Sequence, residues 1–256
     1  MRDLHKEIAK QLYEAQKTKK AIAPLSNNQN LSVVDAYQIQ LVNIDRFVNE
    51  GREISGKKIG LTSLAMQNMF GVNEPDYGHI FSDVNFKREV DHSLFMQPKV
   101  EGEVAFVLKE DLIGPNVSAA EVLKKCEYVV AALEIVDSRI ADWNIKLVDT
   151  VADNASFGGY CLGTIRLQPS HCDLKALKMD FYKNGVKVNS GTGEDVLGDP
   201  AYCVAWLANK MSEFNIPLKK GEVILSGAFS AALCAKKGDI FEAKFTQLGS
   251  VLCEFK

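Results

Sequence analysis

Apolar positions recur at helical spacing through the first fifty or so residues, then gather into short runs with the texture of strands. Leu4, Ile8, Leu12 and Ala15 predict an amphipathic helix within residues 1–20, with its lysines outside. Ser32 has Asp35 three residues on, a capping-box spacing. Val33, Tyr37, Ile44 and Val48 continue that helix to Gly51, a residue suited to the position just past a helix end. The polar stretch 26–30 joins the two helices. Beyond Gly51, apolar runs broken by Gly, Pro and Asn predict strands at 59–62, 100–108, 128–136, 160–165, 179–183, 223–225, 240–245 and 251–255. Helices are expected at 118–126, where Ser118 precedes Glu121 in capping-box spacing, and at 200–214, which opens on Pro200. Asn184-Gly185 predicts a type I′ hairpin turn, and Lys236-Lys237-Gly238-Asp239 another tight turn. Many strands with few helices between them predict an α+β fold built on a rolled or closed mixed sheet.

Three acids interrupt this pattern. Glu101 and Glu103 stand two residues apart in the 100–108 run, so strand alternation sends both carboxylates to one face. Glu134 is the lone charge in the 128–136 run. Two like charges about 6–7 Å apart repel by roughly 2–3 kcal/mol at an effective dielectric of 20, and desolvation costs several kcal/mol more. Two readings stay open here. The acids are edge-strand groups facing water, or a divalent cation offsets both costs; carboxylate oxygens with open water positions suit Mg²⁺ or Mn²⁺.

Composition narrows the field. A chain of 256 residues, 46% hydrophobic and 25% charged, buries a sizeable core. A net charge of −3 argues against nucleic acid or an anionic membrane as partner, and no apolar run approaches membrane-spanning length. The start lacks a signal-type apolar core, and Asp3, Glu7 and Glu14 disfavour a mitochondrial presequence, so a cytoplasmic location is expected. The six cysteines form no C-x-x-C pair and the four histidines no H-x-H pair, so any metal is held by oxygen.

Other segments offer chemistry with a plainer alternative beside it. Lys57 and Lys58 alternate at a strand start, so one turns inward unless both are solvated. Asp76, in the loop 71–79, follows Pro75 and reads as turn chemistry. Arg139 follows the Glu134 strand and either meets a substrate carboxylate or pairs with Asp137 or Asp142. Ser156, in the stretch 151–156, serves a turn or a ligand. Ser226 and Gly227 end a strand where a backbone can approach a ligand closely.

Taken together, GKKIGLTS, GVNEPDYGHIFSDV, PKVEGEVAFVLKEDLIGP, EIVDSRIADW, VADNAS and CVAWLAN…GEVILSG resemble the 2-keto-4-pentenoate hydratase family of the fumarylacetoacetate hydrolase superfamily. The matches run in order from about residue 20 to the C-terminus. The resemblance implies a mixed β-barrel or roll as catalytic core over residues 56–256, with an N-terminal helical extension, 1–55, packed outside. It implies a divalent ion, Mg²⁺ or Mn²⁺, held by Glu101, Glu103 and Glu134, an active-site lysine at Lys58, an acid at Asp76, and a substrate contact at Ser156. The implied reaction adds water to 2-hydroxypenta-2,4-dienoate to give 4-hydroxy-2-oxopentanoate, late in the meta-cleavage of aromatic compounds. The implied partners are the small dienoate and further copies of the chain as a homo-oligomer, with a related decarboxylase as a further associate. The sister 4-oxalocrotonate decarboxylases use the same metal and tend to lack an acid at Asp76, and hydratases of longer dioates need an extra cation. One departure stands out: Ala228 follows Gly227 where related hydratases often carry Ser.

Overall fold

Helical spacing at the N-terminus becomes α1 (Asp3–Thr18), which buries Ile8, Leu12 and Ala15, and α2 (Val33–Asn49), which buries Tyr37 and Ile44. The computed structural model describes residues 3–27 and 29–256; Met1, Arg2 and Asn28, which the expected first helix and the loop after α1 include, lie outside the described residues. The capping box forms as expected: Ser32 Oγ accepts from Asp35 N–H at 3.1 Å, and Asp35 Oδ2 accepts from Ser32 N–H at 3.0 Å. Gly51 follows with φ 94°, the left-handed value a helix exit favours.

The remaining elements, in chain order, are β1 (Ile54–Gly60), α3 (Leu64–Phe70), β2 (Asp76–Phe81), β3 (Asn85–Phe86), β4 (Glu89–Val90) and β5 (Lys99–Leu108). Next come α4 (Ala119–Lys125), β6 (Cys126–Val136), α5 (Leu147–Ala152), β7 (Phe157–Leu162), β8 (Lys178–Lys183) and β9 (Val186–Thr192). The chain closes with α6 (Pro200–Ser212), β10 (Val223–Ala228), β11 (Leu233–Cys234), β12 (Ile240–Phe245) and β13 (Gly249–Phe255). One sheet has eight strands, ordered β2-β1-β10-β5-β6-β7-β3 with β11 added beside β5; the other has five, ordered β4-β13-β12-β8-β9. Both are mixed: β1 runs parallel to β10, β3 to β7 and β4 to β13, while the other pairs are antiparallel. This is the α+β half-barrel architecture that the strand-rich pattern predicts.

Some expected elements move, and α3, β2, β3, β4, α5 and β11 were not foreseen. The strand expected at 59–62 begins at Ile54, because Gly56 lets the β10 backbone lie against it: a Cβ there would meet Val223 O at 1.8 Å. The 71–79 segment is not one long turn; α3 ends at Gly71 (φ 66°) and Asp76 opens β2, whose six residues are all buried. A strand buried on both faces shows no alternation to read. α5 was likewise unannounced. The Asn184-Gly185 hairpin forms with φ 53° and 79°, joining β8 to β9.

The two faces of β5 have different fates. Val100, Val104, Phe106 and Leu108 enter the larger core cluster, and a Cβ on Gly102 would strike Met179 Sδ at 2.3 Å, so the second sheet lies against that side. Ala105 belongs to a separate cluster with Val130, Ala132 and Leu225. Glu101 and Glu103 therefore leave the strand on the side away from the second sheet.

Candidate metal and acid–base site

Glu101 on β5 stands directly opposite Glu134 on β6, and Glu103 opposite Ala132. That register gathers the acids: Glu101, Glu103 and Glu134 each offer an oxygen, and these oxygens lie within 4.8 Å of one another. Glu103 and Glu134 are fully buried and Glu101 half-buried, so the cluster opens toward solvent on the Glu101 side. The edge-strand reading fails, because β5 and β6 are interior strands of their sheet.

Only part of this charge is answered by the chain. Glu103 Oε2 accepts from Gly227 N–H at 2.8 Å, and Lys58 Nζ stands 3.1 Å from Glu134 Oε1. Glu103 Oε1 and Glu134 Oε2 find no hydrogen-bond donor among the described residues, and Glu134 Oε1 has the Lys58 ammonium as its partner. Burial, then the neighbouring carboxylates, holds Glu103 well above the usual carboxylate range. Burial pushes Glu134 up to about 7 although Lys58 pulls it down. Burial also raises Glu101, against the pull of Lys58. Three crowded carboxylates that resist ionisation, with oxygens converging and only partly bonded, are a donor set matched to a hard divalent cation.

Lys58 and Asp76 meet beside this cluster at a glycine. Gly60 pairs with Asp76 across β1 and β2, and a Cβ on Gly60 would lie 2.2 Å from Asp76 Oδ1 and 3.4 Å from Lys58 Nζ. Burial alone would lower the Lys58 ammonium, but the charges of Glu134, Asp76, Glu101 and Glu103 outweigh it and keep it cationic. Asp76, only 2% exposed, is raised by burial against the pull of Lys58 and a hydrogen bond from Thr150. Both lysines of the pair are buried, against the expectation that only one would turn inward. Lys57 points to the other face and bonds Glu222 at 2.7 Å.

The stretch after α5 completes the wall. Asn154, Ala155 and Ser156 all adopt left-handed backbone, at φ 55°, 49° and 53°. Such a run costs about 1–2 kcal/mol per residue and collects at functional sites. It aims the Ala155 carbonyl at Lys58 Nζ, 2.9 Å away. Ser156 Oγ lies 3.3 Å from Thr150 Oγ1, so Asp76, Thr150 and Ser156 form a file of polar groups.

Two sequence candidates are spent elsewhere. The Arg139 guanidinium does not pair with Asp137 or Asp142 and is not free for a substrate: it bonds Asp153 through Nε and Phe157 O through Nη1 at 2.9 Å. Its work is to brace the left-handed turn. Ser226 Oγ donates to Val104 O at 2.8 Å and is fully buried. Gly60, Thr150 and the Ala155 carbonyl are the site's unannounced members. A glycine beside an inward lysine was a faint signal for the first, and a backbone carbonyl leaves none.

Residues 81–256 match the family described as fumarylacetoacetate (FAA) hydrolase, C-terminal. The chain belongs to the fumarylacetoacetate hydrolase family. Within it, the chain is 47% identical to a 2-keto-4-pentenoate hydratase of Paraburkholderia xenovorans (strain LB400), over 98% of this chain and 94% of that one. A 2-hydroxyhexa-2,4-dienoate hydratase of Comamonas testosteroni is 43% identical over 95% of this chain and 94% of its own length. The fold is also that of the 4-oxalocrotonate decarboxylase of Pseudomonas putida G7 solved with magnesium and adipate, at TM-score 0.96 and 31% identity, covering 100% of this chain and 98% of that one.

Proposed function

We propose that this protein is a divalent-metal-dependent hydro-lyase that adds water to 2-hydroxypenta-2,4-dienoate to give 4-hydroxy-2-oxopentanoate. The observation that carries the reading is the meeting of buried Asp76 and cationic Lys58 around Gly60, beside the three converging glutamates. High identity to hydratases over nearly the whole chain supports the same reaction class.

Glu101, Glu103 and Glu134 would hold Mg²⁺ or Mn²⁺, which supplies Lewis acidity to the carboxylate and 2-oxygen of the substrate. Lys58, kept charged by its acids, stabilises the negative charge that gathers on the 2-oxygen as the dienol gives up its proton. A proton added at C5 leaves an α,β-unsaturated ketone. Asp76 then takes a proton from the water that bonds to C4, and a proton returned to C3 restores the 2-oxo group. Ser156 reaches this acid through Thr150 and orders it. We extend the proposal to a cytoplasmic homo-oligomer; all six cysteines are free, as a reducing compartment allows.

Asp76→Asn tests the assignment. It is expected to leave Mn²⁺ affinity unchanged and to lower kcat by about 10²-fold or more, the range of general acid–base effects. Full activity in that variant would remove Asp76 from the mechanism. The rival is decarboxylation, favoured by the likeness to the decarboxylase structure. Carbon dioxide released from 2-oxohex-3-enedioate, without hydration of the monoacid, would establish it.

A further inference from the structure

Ala228 leaves the loop after β10 without the hydroxyl expected there, yet a different hydroxyl stands two residues on. Ala228 pairs with Glu103, Phe229 N–H donates to Gly102 O at 3.0 Å, and Leu233 pairs with Val100. Residues 230–232 therefore pass Glu101 on the side opposite Glu134. The Phe229 ring packs edge-on against Phe245 of the second sheet, with centroids 5.3 Å apart, so it occupies the face that Gly102 presents there. Ser230 follows, level with Glu101. Its Oγ is buried and has no hydrogen-bond partner among the described residues. A buried hydroxyl left without a partner is unfavourable, since it gives up its water hydrogen bonds and gains none. The neighbouring hydroxyl of Ser226, by contrast, is already bonded.

We infer that Ser230 is a substrate-binding residue, whose Oγ–H donates to the carboxylate of the 2-oxo acid held at Glu101, Glu103 and Glu134. The inference rests on the reading of those acids as the cation site for such a substrate. A donor at this place serves the end of the molecule that does not react. It therefore binds ground state and transition state alike, and its loss appears in KM rather than kcat.

The test uses the Mn²⁺-loaded protein and oxalate, an unreactive chelating acid, with calorimetry as the readout beside turnover. Ser230→Ala is expected to weaken oxalate about tenfold and raise KM about tenfold, since a hydrogen bond to a charged group is lost. Mn²⁺ affinity and kcat are expected to stay within about twofold of the parent, and Ser230→Thr to recover most of the oxalate affinity. Unchanged oxalate affinity in Ser230→Ala would overturn the inference, as would a loss confined to Mn²⁺ affinity. If the parent protein fails to hydrate the dienoate while the alanine variant still loses oxalate, the hydratase reading falls and Ser230 keeps its assignment.

Discussion

Glu134 shows how one residue can encode a site. A single acid inside a strand that is otherwise apolar cannot be a solvated face, and its place opposite Glu101 fixes where the partner charges must be. The same logic exposed Glu103, but for Lys57 and Lys58 it left open which turned inward, and only the family resemblance singled out Lys58. That logic missed Asp76, because Pro-Asp is also common turn chemistry, and only the register with Gly60 shows the carboxylate turned into the protein. Arg139 was misjudged for a related reason: its true partner, Asp153, is distant in sequence and comes close only through the turn between α5 and β7. Two outcomes follow at this scale. Glu103→Gln should weaken Mn²⁺ binding at least tenfold in a calorimetric titration, since a charged oxygen at the centre of the cluster is lost. The metal-free protein should also lose stability as pH rises. Glu134 has an ordinary value of 4.5 but holds its proton up to about 7 when folded, so between those values the unfolded chain binds fewer protons. Thermal unfolding without metal should therefore fall across that window, and saturating Mn²⁺ should remove the fall.

Elements hold these residues with differing economy. β5 and β6 were legible almost to their ends, since long apolar runs with alternating exceptions leave few other conformations. The stretch from Asp153 to Ser156 was legible as a turn or a ligand contact but its conformation was not, because three successive left-handed residues have no propensity signature. What holds it is visible in the structure: Asn154 Oδ1 accepts from His79 N–H at 2.7 Å, and its Nδ2 donates to His79 O at 2.8 Å. Asn154 thus extends the β2 edge like a short strand, and Gly78 leaves room for it, since a Cβ there would meet Asn154 O at 2.4 Å. Asn154→Ala should destabilise the fold by about 2–3 kcal/mol, two hydrogen bonds at their usual worth plus the loss of a residue that tolerates left-handed backbone. Urea unfolding with an unchanged slope and a lower midpoint would confirm it; an unchanged midpoint would mean the turn is held elsewhere.

Over the whole molecule, the N-terminal helices are more than an attachment. Gln40 of α2 donates to Tyr77 O at 3.0 Å and to Val151 O at 2.8 Å, clamping the strand that carries Asp76 to the helix before the left-handed turn. The proposed division at residue 55 is thus one of sequence pattern, and a chain lacking residues 1–55 should not bind Mn²⁺ at parental affinity. The outer surface bears on assembly: β9 is an edge strand with Val186 and Val188 exposed, and Tyr202 is exposed on α6. Exposed edges and apolar side chains are where copies of a chain meet. Light scattering should return a multiple of the monomer mass, and a monomer at micromolar concentration would refute the homo-oligomer. No helix among the described residues is long and apolar enough to cross a membrane.

The reaction itself gives the most direct test. Purified protein loaded with Mn²⁺ and given 2-hydroxypenta-2,4-dienoate in heavy-oxygen water should consume the dienol chromophore. Mass spectrometry should then find one heavy oxygen bonded at C4 of 4-hydroxy-2-oxopentanoate, and a chelator should abolish the product. Turnover that survives the chelator, or chromophore loss without a heavy oxygen at C4, would contradict a metal-dependent hydratase.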